Sequence, residues 1–324
     1  MSLWPDSLCL AQKSRQARNS PRPAAVYPGM KFRAAAAVVL CAASTAGCTV
    51  TVDSQSEIVR DEKRFTVKGT PDVRVTTFDG SIQIRAWDRP DVLVEIEKRG
   101  PTRESVDALE IKSEQSGNVI DFEVKAPRSE SFRGIGMYRT ASARLTVSVP
   151  HAANIRARSG DGSITIERVS GKIELRTGDG SIRSSEVAGD LSFDTSDGSV
   201  TVERAEGRLS VETGDGSVAV SGKFASMKLH TGDGSVTFRA DPETVMADDW
   251  DITTGDGSVS VYLPEAFAGQ LDAHTGDGSI RNDLATFESS SADNVRRTLR
   301  GKIGGGGKLI RIRTGDGAIK LRMN

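Results

Sequence analysis

Residues 159–218 read SGDGSITIERVSGKIELRTGDGSIRSSEVAGDLSFDTSDGSVTVERAEGRLSVETGDGSV. Glycine recurs here every nine residues, at Gly162, Gly171, Gly180, Gly189, Gly198, Gly207 and Gly216, and again at Gly234, with Ala225 the one break in the step. Every second member follows an aspartate, so the full repeat is 18 residues long and its signature is TGDGSI or TGDGSV, as at Thr177-Gly178-Asp179-Gly180-Ser181-Ile182. Self-similarity at a fixed short period means copies of one small unit stacked on each other.

Counting from each repeated Asp, the large apolar residues fall at +3, +5, +12 and +14: Ile164, Ile166, Ile173 and Leu175, then Val200, Val202, Leu209 and Val211. Alternation with a period of two between Gly-containing turns is the pattern of a strand with one buried face, so each half repeat predicts one strand. Gly162, Gly180, Gly198, Gly216, Gly234, Gly257, Gly278 and Gly317 are the expected structural turn residues. Gly takes positive φ freely, and the preceding Asp is suited to hydrogen-bond the turn backbone. A single coil cannot offset the entropy of ordering its own backbone, so stacking is what makes the repeat viable.

Three stackings compete. In a flattened parallel β-solenoid the two strands of each 18-residue coil join two sheets that face each other across a thin core. An antiparallel meander would use Asp-Gly as hairpin turns, but must find a second layer for its apolar face. A membrane barrel needs strands of about 9 to 11 residues, and here strand and turn together occupy nine. Outward residues such as Thr165, Glu167, Glu174 and Arg176 are polar as well. The fold class is therefore all-β, a two-sheet parallel solenoid with an N-terminal β-rich capping region.

Beyond Asp233 the copies spread to Asp256, Asp277 and Asp316, spacings of 23, 21 and 39 residues. Asp241-Pro242-Glu243 predicts the start of a short helix, and residues 283–307 read as a long excursion before the last coil. Eight coils at about 4.8 Å make a rod of roughly 38 Å.

The first 29 residues carry scattered Arg and Pro without period, and read as a leader from an upstream start codon. From Met30 to Gly47 the chain has a charged start (Lys31, Arg33) and the apolar run AAAAVVLCAA, which is the layout of a secretory signal. Thr45-Ala46-Gly47-Cys48 resembles a bacterial lipobox, with Thr45 where Leu is usual. That resemblance implies lipidation at Cys48 and retention on a membrane through acyl chains. Of the three cysteines, Cys9 and Cys41 precede the cleavage point, so the mature chain holds no cysteine pair. Thr49 after the Cys favours the outer membrane by analogy with lipoprotein sorting. Residues 1–47 hold six Lys or Arg against one acid, which leaves the mature part near −6. Such a chain lacks the basic footprint of a nucleic-acid binder. The expected organisation is leader 1–29, signal 30–47, tether 48–58, a β-rich cap with first coils over 59–150, and the repeats over 151–324.

Phe65-Thr66-Val67 leading to Asp79-Gly80-Ser81-Ile82, the strand ending Val147-Ser148-Val149-Pro150, the TGDGS series, Val261-Tyr262-Leu263-Pro264 and the closing GKIGGGGKLIRIRTGDGAIKLR belong together as a pattern. It resembles the bacterial family of unknown function named "putative adhesins", over residues 60 to 324. The resemblance implies a β-solenoid of the bacterial envelope, often anchored, and brings no catalytic residues with it.

A parallel stack aligns Asp161, Asp179, Asp197, Asp215, Asp233, Asp256, Asp277 and Asp316 along one edge. The first expectation is that each Asp caps its own turn through backbone N–H groups or the nearby Ser hydroxyl. The second is a Ca²⁺ ladder, since oxygen-rich turns suit that ion, although one Asp per coil is a sparse donor set. The +4 column (Thr165, Arg183, Thr201, Ala219, Thr237, Ser260, Arg281, Lys320) is too mixed for an ice-binding threonine array. His230 and His274 share the slot H-T-G-D-G about two coils apart, too far to hold one metal, and His151 stands alone. The reading is a lipid-anchored, non-catalytic scaffold for binding, adhesion or spacing, with no cofactor and an envelope protein or glycan as partner. The competing readings are a cation-binding solenoid, an accessory protein of an envelope-stress system, and a glycan-active enzyme on the 283–307 loop.

Overall fold

A computed structural model describes residues 56–126, 141–290 and 296–324. Cys48 and the leader, signal and most of the tether lie outside the described residues. The N-terminal part holds β1 (Glu57–Thr66), β2 (Asp72–Thr77), β3 (Ile82–Trp87), β4 (Asp91–Gly100), the helix α1 (Arg103–Asp107), β5 (Glu110–Ser116), β6 (Val119–Lys125) and β7 (Ser142–Pro150). The repeats supply β8 (Asn154–Ser159), β9 (Ile164–Glu167), β10 (Ser170–Thr177), β11 (Ile182–Ser185), β12 (Ala188–Thr195), β13 (Val200–Thr213), β14 (Val218–Thr231) and β15 (Val236–Ala240). Then follow β16 (Trp250–Thr254), β17 (Val259–Leu263), β18 (Gly269–Thr275), β19 (Ile280–Asn282), β20 (Phe287–Ser289), β21 (Thr298–Ile303), β22 (Leu309–Thr314) and β23 (Ile319–Met323).

Successive coils lie parallel and in register at the repeat period: Ile173 pairs with Ile155 and Leu191, and Ile182 with Ile164 and Val200. The first face runs β6, β2, β8, β10, β12, the second half of β13, the second half of β14, β16, β22 and β18. The second face runs β7, β3, β9, β11, the first halves of β13 and β14, β15, β17, β23 and β19. These are ten stacked coils, roughly 48 Å at about 4.8 Å each, and the stack runs across residue 150 unbroken. Antiparallel strands close the ends: β5 on β6, β4 and β1 on β7, and β21 and β20 on β18. The charged, mostly exposed β1 is suited to an outer edge.

Coil order in space departs from coil order in sequence at both ends. The β2–β3 coil lies between the β6–β7 coil and the β8–β9 coil. The last coil of the chain, β22–β23, lies between β16–β17 and β18–β19. The 283–307 excursion thus loops back to tuck the final coil inside, leaving β18 free to receive the antiparallel β21. Residues 241–249 form turns and not the expected helix. Glu243 adopts φ 65°, outside the helical region, and the Thr244 hydroxyl folds back onto the Asp241 carbonyl at 2.5 Å.

The core consists of the alternating residues of both faces, and all eight of the positions cited above, Ile164 through Val211, are buried. Phe224, Phe238, Trp250 and Phe267 fill the C-terminal third, with Phe238 edge-on to Trp250 at 5.1 Å between ring centroids. One column breaks its own rule. Between Ile166 and Val202 stands Ser184, 3% exposed, its hydroxyl without a hydrogen-bond partner among the described residues. Burying an unpaired hydroxyl is unfavourable, so Ser184→Val is expected to stabilise the protein by about 1 to 2 kcal/mol. The measurement is the urea midpoint, and a midpoint at or below that of the parent would refute this account of the column.

Candidate binding surfaces

The TGDGS edge is held by threonine. Thr177, Thr195, Thr213, Thr231, Thr254, Thr275 and Thr314 are buried, with Ser159 in the same slot one coil earlier. Each hydroxyl donates to a glycine carbonyl of the neighbouring coil, as from Thr177 to Gly162 (2.8 Å), Thr195 to Gly180 (3.0 Å) and Thr213 to Gly198 (3.0 Å). Several also accept from the glycine amide three residues on, at 3.3 Å for Gly198 to Thr195 and 3.2 Å for Gly317 to Thr314. The hydroxyl therefore does the capping that was expected of Asp. Asp161, Asp179, Asp197, Asp215, Asp233, Asp256, Asp277 and Asp316 are all exposed, and among the described residues only the Asp277 side chain has a partner, Arg297 at 3.2 Å.

The paired glycines also play a different part from the one expected. Of the Asp-Gly copies only Gly80 has positive φ. At Gly162, Gly180, Gly198, Gly216, Gly234, Gly257, Gly278 and Gly317 a Cβ would overlap the carbonyl of the stacked glycine below. Left-handed backbone sits instead in the other half repeat, at Gly171, Gly189 and Gly207 and at Arg168, Glu186 and Arg204. The last three cost about 1 to 2 kcal/mol each.

The outward sides of the two faces are flat and charged. On the first, Glu174 is bridged by Arg156 (3.2 Å), Arg176 (3.4 Å) and Arg158 (3.5 Å). Burial works to raise its carboxyl, and these guanidinium groups outweigh it and hold it below the ordinary range. Asp272 is likewise raised by burial and lowered by more through Arg313 (2.7 Å) and Arg300 (3.1 Å), which ties β18 to β22 and β21. On the second face a groove of about 640 Å³ is lined by Arg60, Glu62, Gln83, Glu95, Glu97 and Arg144 among others. Hydrogen bonds from Arg99 and then Arg60 hold the Glu97 carboxyl low, against the opposing effect of burial. A second depression of about 500 Å³, between the 241–249 and 304–308 turns, carries the exposed Val245.

Among the described residues no three His, Cys, Asp or Glu side chains converge as a metal site would require. The Asp residues form a column and not a cluster, with Oδ1 of Asp161, Asp197, Asp215, Asp233 and Asp256 leaning toward a glycine of the next coil. His230 and His274 are three coils apart rather than two, with Thr253 and Arg313 between them, because the last coil is inserted there. His151 bonds Asp88 at 3.1 Å and the Arg168 carbonyl at 3.2 Å, and His274 meets the Thr298 hydroxyl at 3.0 Å. Among the described residues, no helix is long and apolar enough to cross a membrane.

Solved structures with a similar trace include a "putative cell adhesion protein" from Clostridium sporogenes, 15% identical, covering 83% of this chain and 100% of its own, at a TM-score of 0.30. A "putative adhesin" from Parabacteroides merdae is 11% identical over 81% of this chain and 95% of its own, with a TM-score of 0.39. A "putative lipid binding protein" from Parabacteroides distasonis is 12% identical over 81% and 96%, with a TM-score of 0.40. No curated protein matches the chain. The family model described as Toastrack DUF4097 matches residues 65–322, from the strand that enters the first coil to the strand that ends the last, and the chain belongs to that family.

Proposed function

We propose that the protein is a lipid-anchored, non-catalytic scaffold of the bacterial envelope, attached through Cys48 and presenting the rod as a rigid binding or spacing surface. The observation that supports this reading is the register itself. Every coil offers the same outward positions at one spacing, so the rod displays columns of side chains on flat faces, where catalysis would require a shaped and enclosed pocket.

The test is fractionation of cells fed an alkynyl fatty acid. The parent chain is expected in the membrane fraction carrying the label, and Cys48→Ser unlabelled and released. A Cys48→Ser protein that stays with the membrane, or a parent chain without label, would overturn the anchored reading.

A further inference from the structure

Charge on the second face stops cancelling toward its C-terminal end. Near the N-terminal cap the cations have acids beside them: Arg60 and Glu97 at 2.9 Å, Arg85 and Glu95 at 3.5 Å, Arg144 and Glu97 at 3.9 Å. In mid-rod Arg183 lies between Thr165 and Thr201, with Glu167 and Glu203 two positions along the same neighbouring strands.

Past β14 the register sets Thr237, Ser260, Lys320 and Arg281 in one row, and Arg239, Tyr262 and Arg322 in the next. Four cations share this area, all exposed. The acids beside them are Asp283, already bound to Arg281 at 3.2 Å, and Asp241, two residues beyond Arg239 at the end of its strand. Arg239 is held in place, its guanidinium 4.3 Å from the Tyr262 ring centroid and donating to Asn324 Oδ1 at 2.8 Å. The side chains of Lys320 and Arg322 make no hydrogen bond or ion pair among the described residues. Lys320 and Arg281 are direct cross-strand neighbours, an arrangement that is unfavourable without a counter-charge. The repeated aspartates stand four residues upstream of the first row, about 13 Å along the strands, and Asp277 is engaged by Arg297.

We propose that this patch binds an acidic polysaccharide, a chain carrying carboxylates on successive sugars. The inference rests on the scaffold reading above and names its partner class. Along the rod axis Lys320 and Arg281 stand one strand apart and Arg239 and Arg322 two strands apart, an extended row that suits a charged polymer better than a single small anion. Thr237 and Ser260 add hydroxyls beside them, and the half-buried Tyr262 adds an apolar plane. An anionic bilayer is the lesser fit. Among the described residues the exposed large apolar side chains are Ile58 and Val245, and neither stands on these strands.

The experiment uses the full chain in neutral detergent and measures binding to polygalacturonate, to dextran and to vesicles of phosphatidylglycerol with phosphatidylcholine. Binding to polygalacturonate alone is expected at low salt, and its loss in ~1 M NaCl. The triple variant Arg239→Gln, Lys320→Gln, Arg322→Gln is expected to lose affinity by roughly tenfold or more. Arg158→Gln, Arg208→Gln, Lys228→Gln removes the same charge from the opposite face and is expected to change it by less than about twofold. Melting curves near the parent's establish that both variants fold. Equal losses in the two triples, no binding to polygalacturonate, or capture by vesicles without polygalacturonate binding would each overturn the assignment. Failure here combined with release of Cys48→Ser from the membrane would remove this partner class and leave the anchored scaffold standing.

Discussion

Deleting residues 309–324 is expected to abolish cooperative unfolding of the rod, an effect far larger than removal of a terminal repeat from a sequentially stacked solenoid. In sequential stacking the loss of the last coil exposes a new end, and nearest-neighbour stability falls by one interface. Here the last coil is interior. Ile310, Ile312, Ile319 and Leu321 are at most 1% exposed because they lie between two other coils. Their removal uncovers Trp250, Ile252, Val259 and Val261 on one side and Leu271 and Ala273 on the other. It also leaves the facing edges of β16, β17, β18 and β19 unpaired, and open edges of this kind favour association between chains. Four buried aliphatic side chains at about 1.5 to 3 kcal/mol each already rival the whole stability of a typical domain, about 5 to 15 kcal/mol. Thermal unfolding followed by circular dichroism, with limited proteolysis alongside, checks this. A truncated chain that melts cooperatively within a few degrees of the parent would show that the final coil is not structurally interior.

The period and the alternation carried most of the architecture, because both are consequences of local geometry. Residues at +3, +5, +12 and +14 from Asp161, Asp179, Asp197 and Asp215 are the ones whose side chains turn inward, and the structure buries them. Coil order was not legible for a reason built into the repeat. All coils share one register, so any coil is an acceptable neighbour for any other, and the spacings of 23, 21 and 39 residues only say that loops intervene. The 39-residue interval is as compatible with a returning loop as with an extension.

The threonine ladder was visible in every TGDGS copy, yet Asp and Thr are both competent turn caps. Burial separates them, Thr inside at 6% exposure or less and Asp outside. The cationic patch has the same origin as the coil order. In sequence the +4 column reads Ser260, Arg281, Lys320, and in space Lys320 moves beside Ser260 and brings Arg322 next to Tyr262. That adjacency exists only after the last coil is tucked in.

The glycines of the TGDGS edge are expected to differ sharply in their tolerance of a side chain. Gly198→Ala should destabilise the protein by about 3 to 5 kcal/mol, at the upper end for a single added carbon. The new Cβ would fall on the Gly180 carbonyl and its carbon, which are backbone atoms with no rotamer to relax. The coils could separate only by stretching the hydrogen bonds that join them there, Ile182 N–H to the Ser199 carbonyl and the Thr195 hydroxyl to the Gly180 carbonyl, both 3.0 Å.

Gly214 stands two residues before its own paired glycine and tells a different story. Its equivalent one coil earlier is already Ser196. The chain accommodates that Cβ by lengthening one contact: Ser196 donates to the Gly178 carbonyl at 2.9 Å, where the glycine copies Gly178, Gly214, Gly232, Gly255 and Gly315 donate at 2.5 to 2.6 Å. Gly214→Ser is therefore expected to cost no more than about 1 kcal/mol. Urea unfolding of the two variants side by side decides the matter. If Gly198→Ala unfolds within about 1 kcal/mol of the parent, or Gly214→Ser proves equally damaging, then close backbone approach is not what reserves the Asp-Gly position for glycine. A large gap between them would establish that coil-to-coil distance reserves the Asp-Gly positions of the repeats for glycine, while the alternate half turns at Gly171, Gly189 and Gly207 carry left-handed backbone.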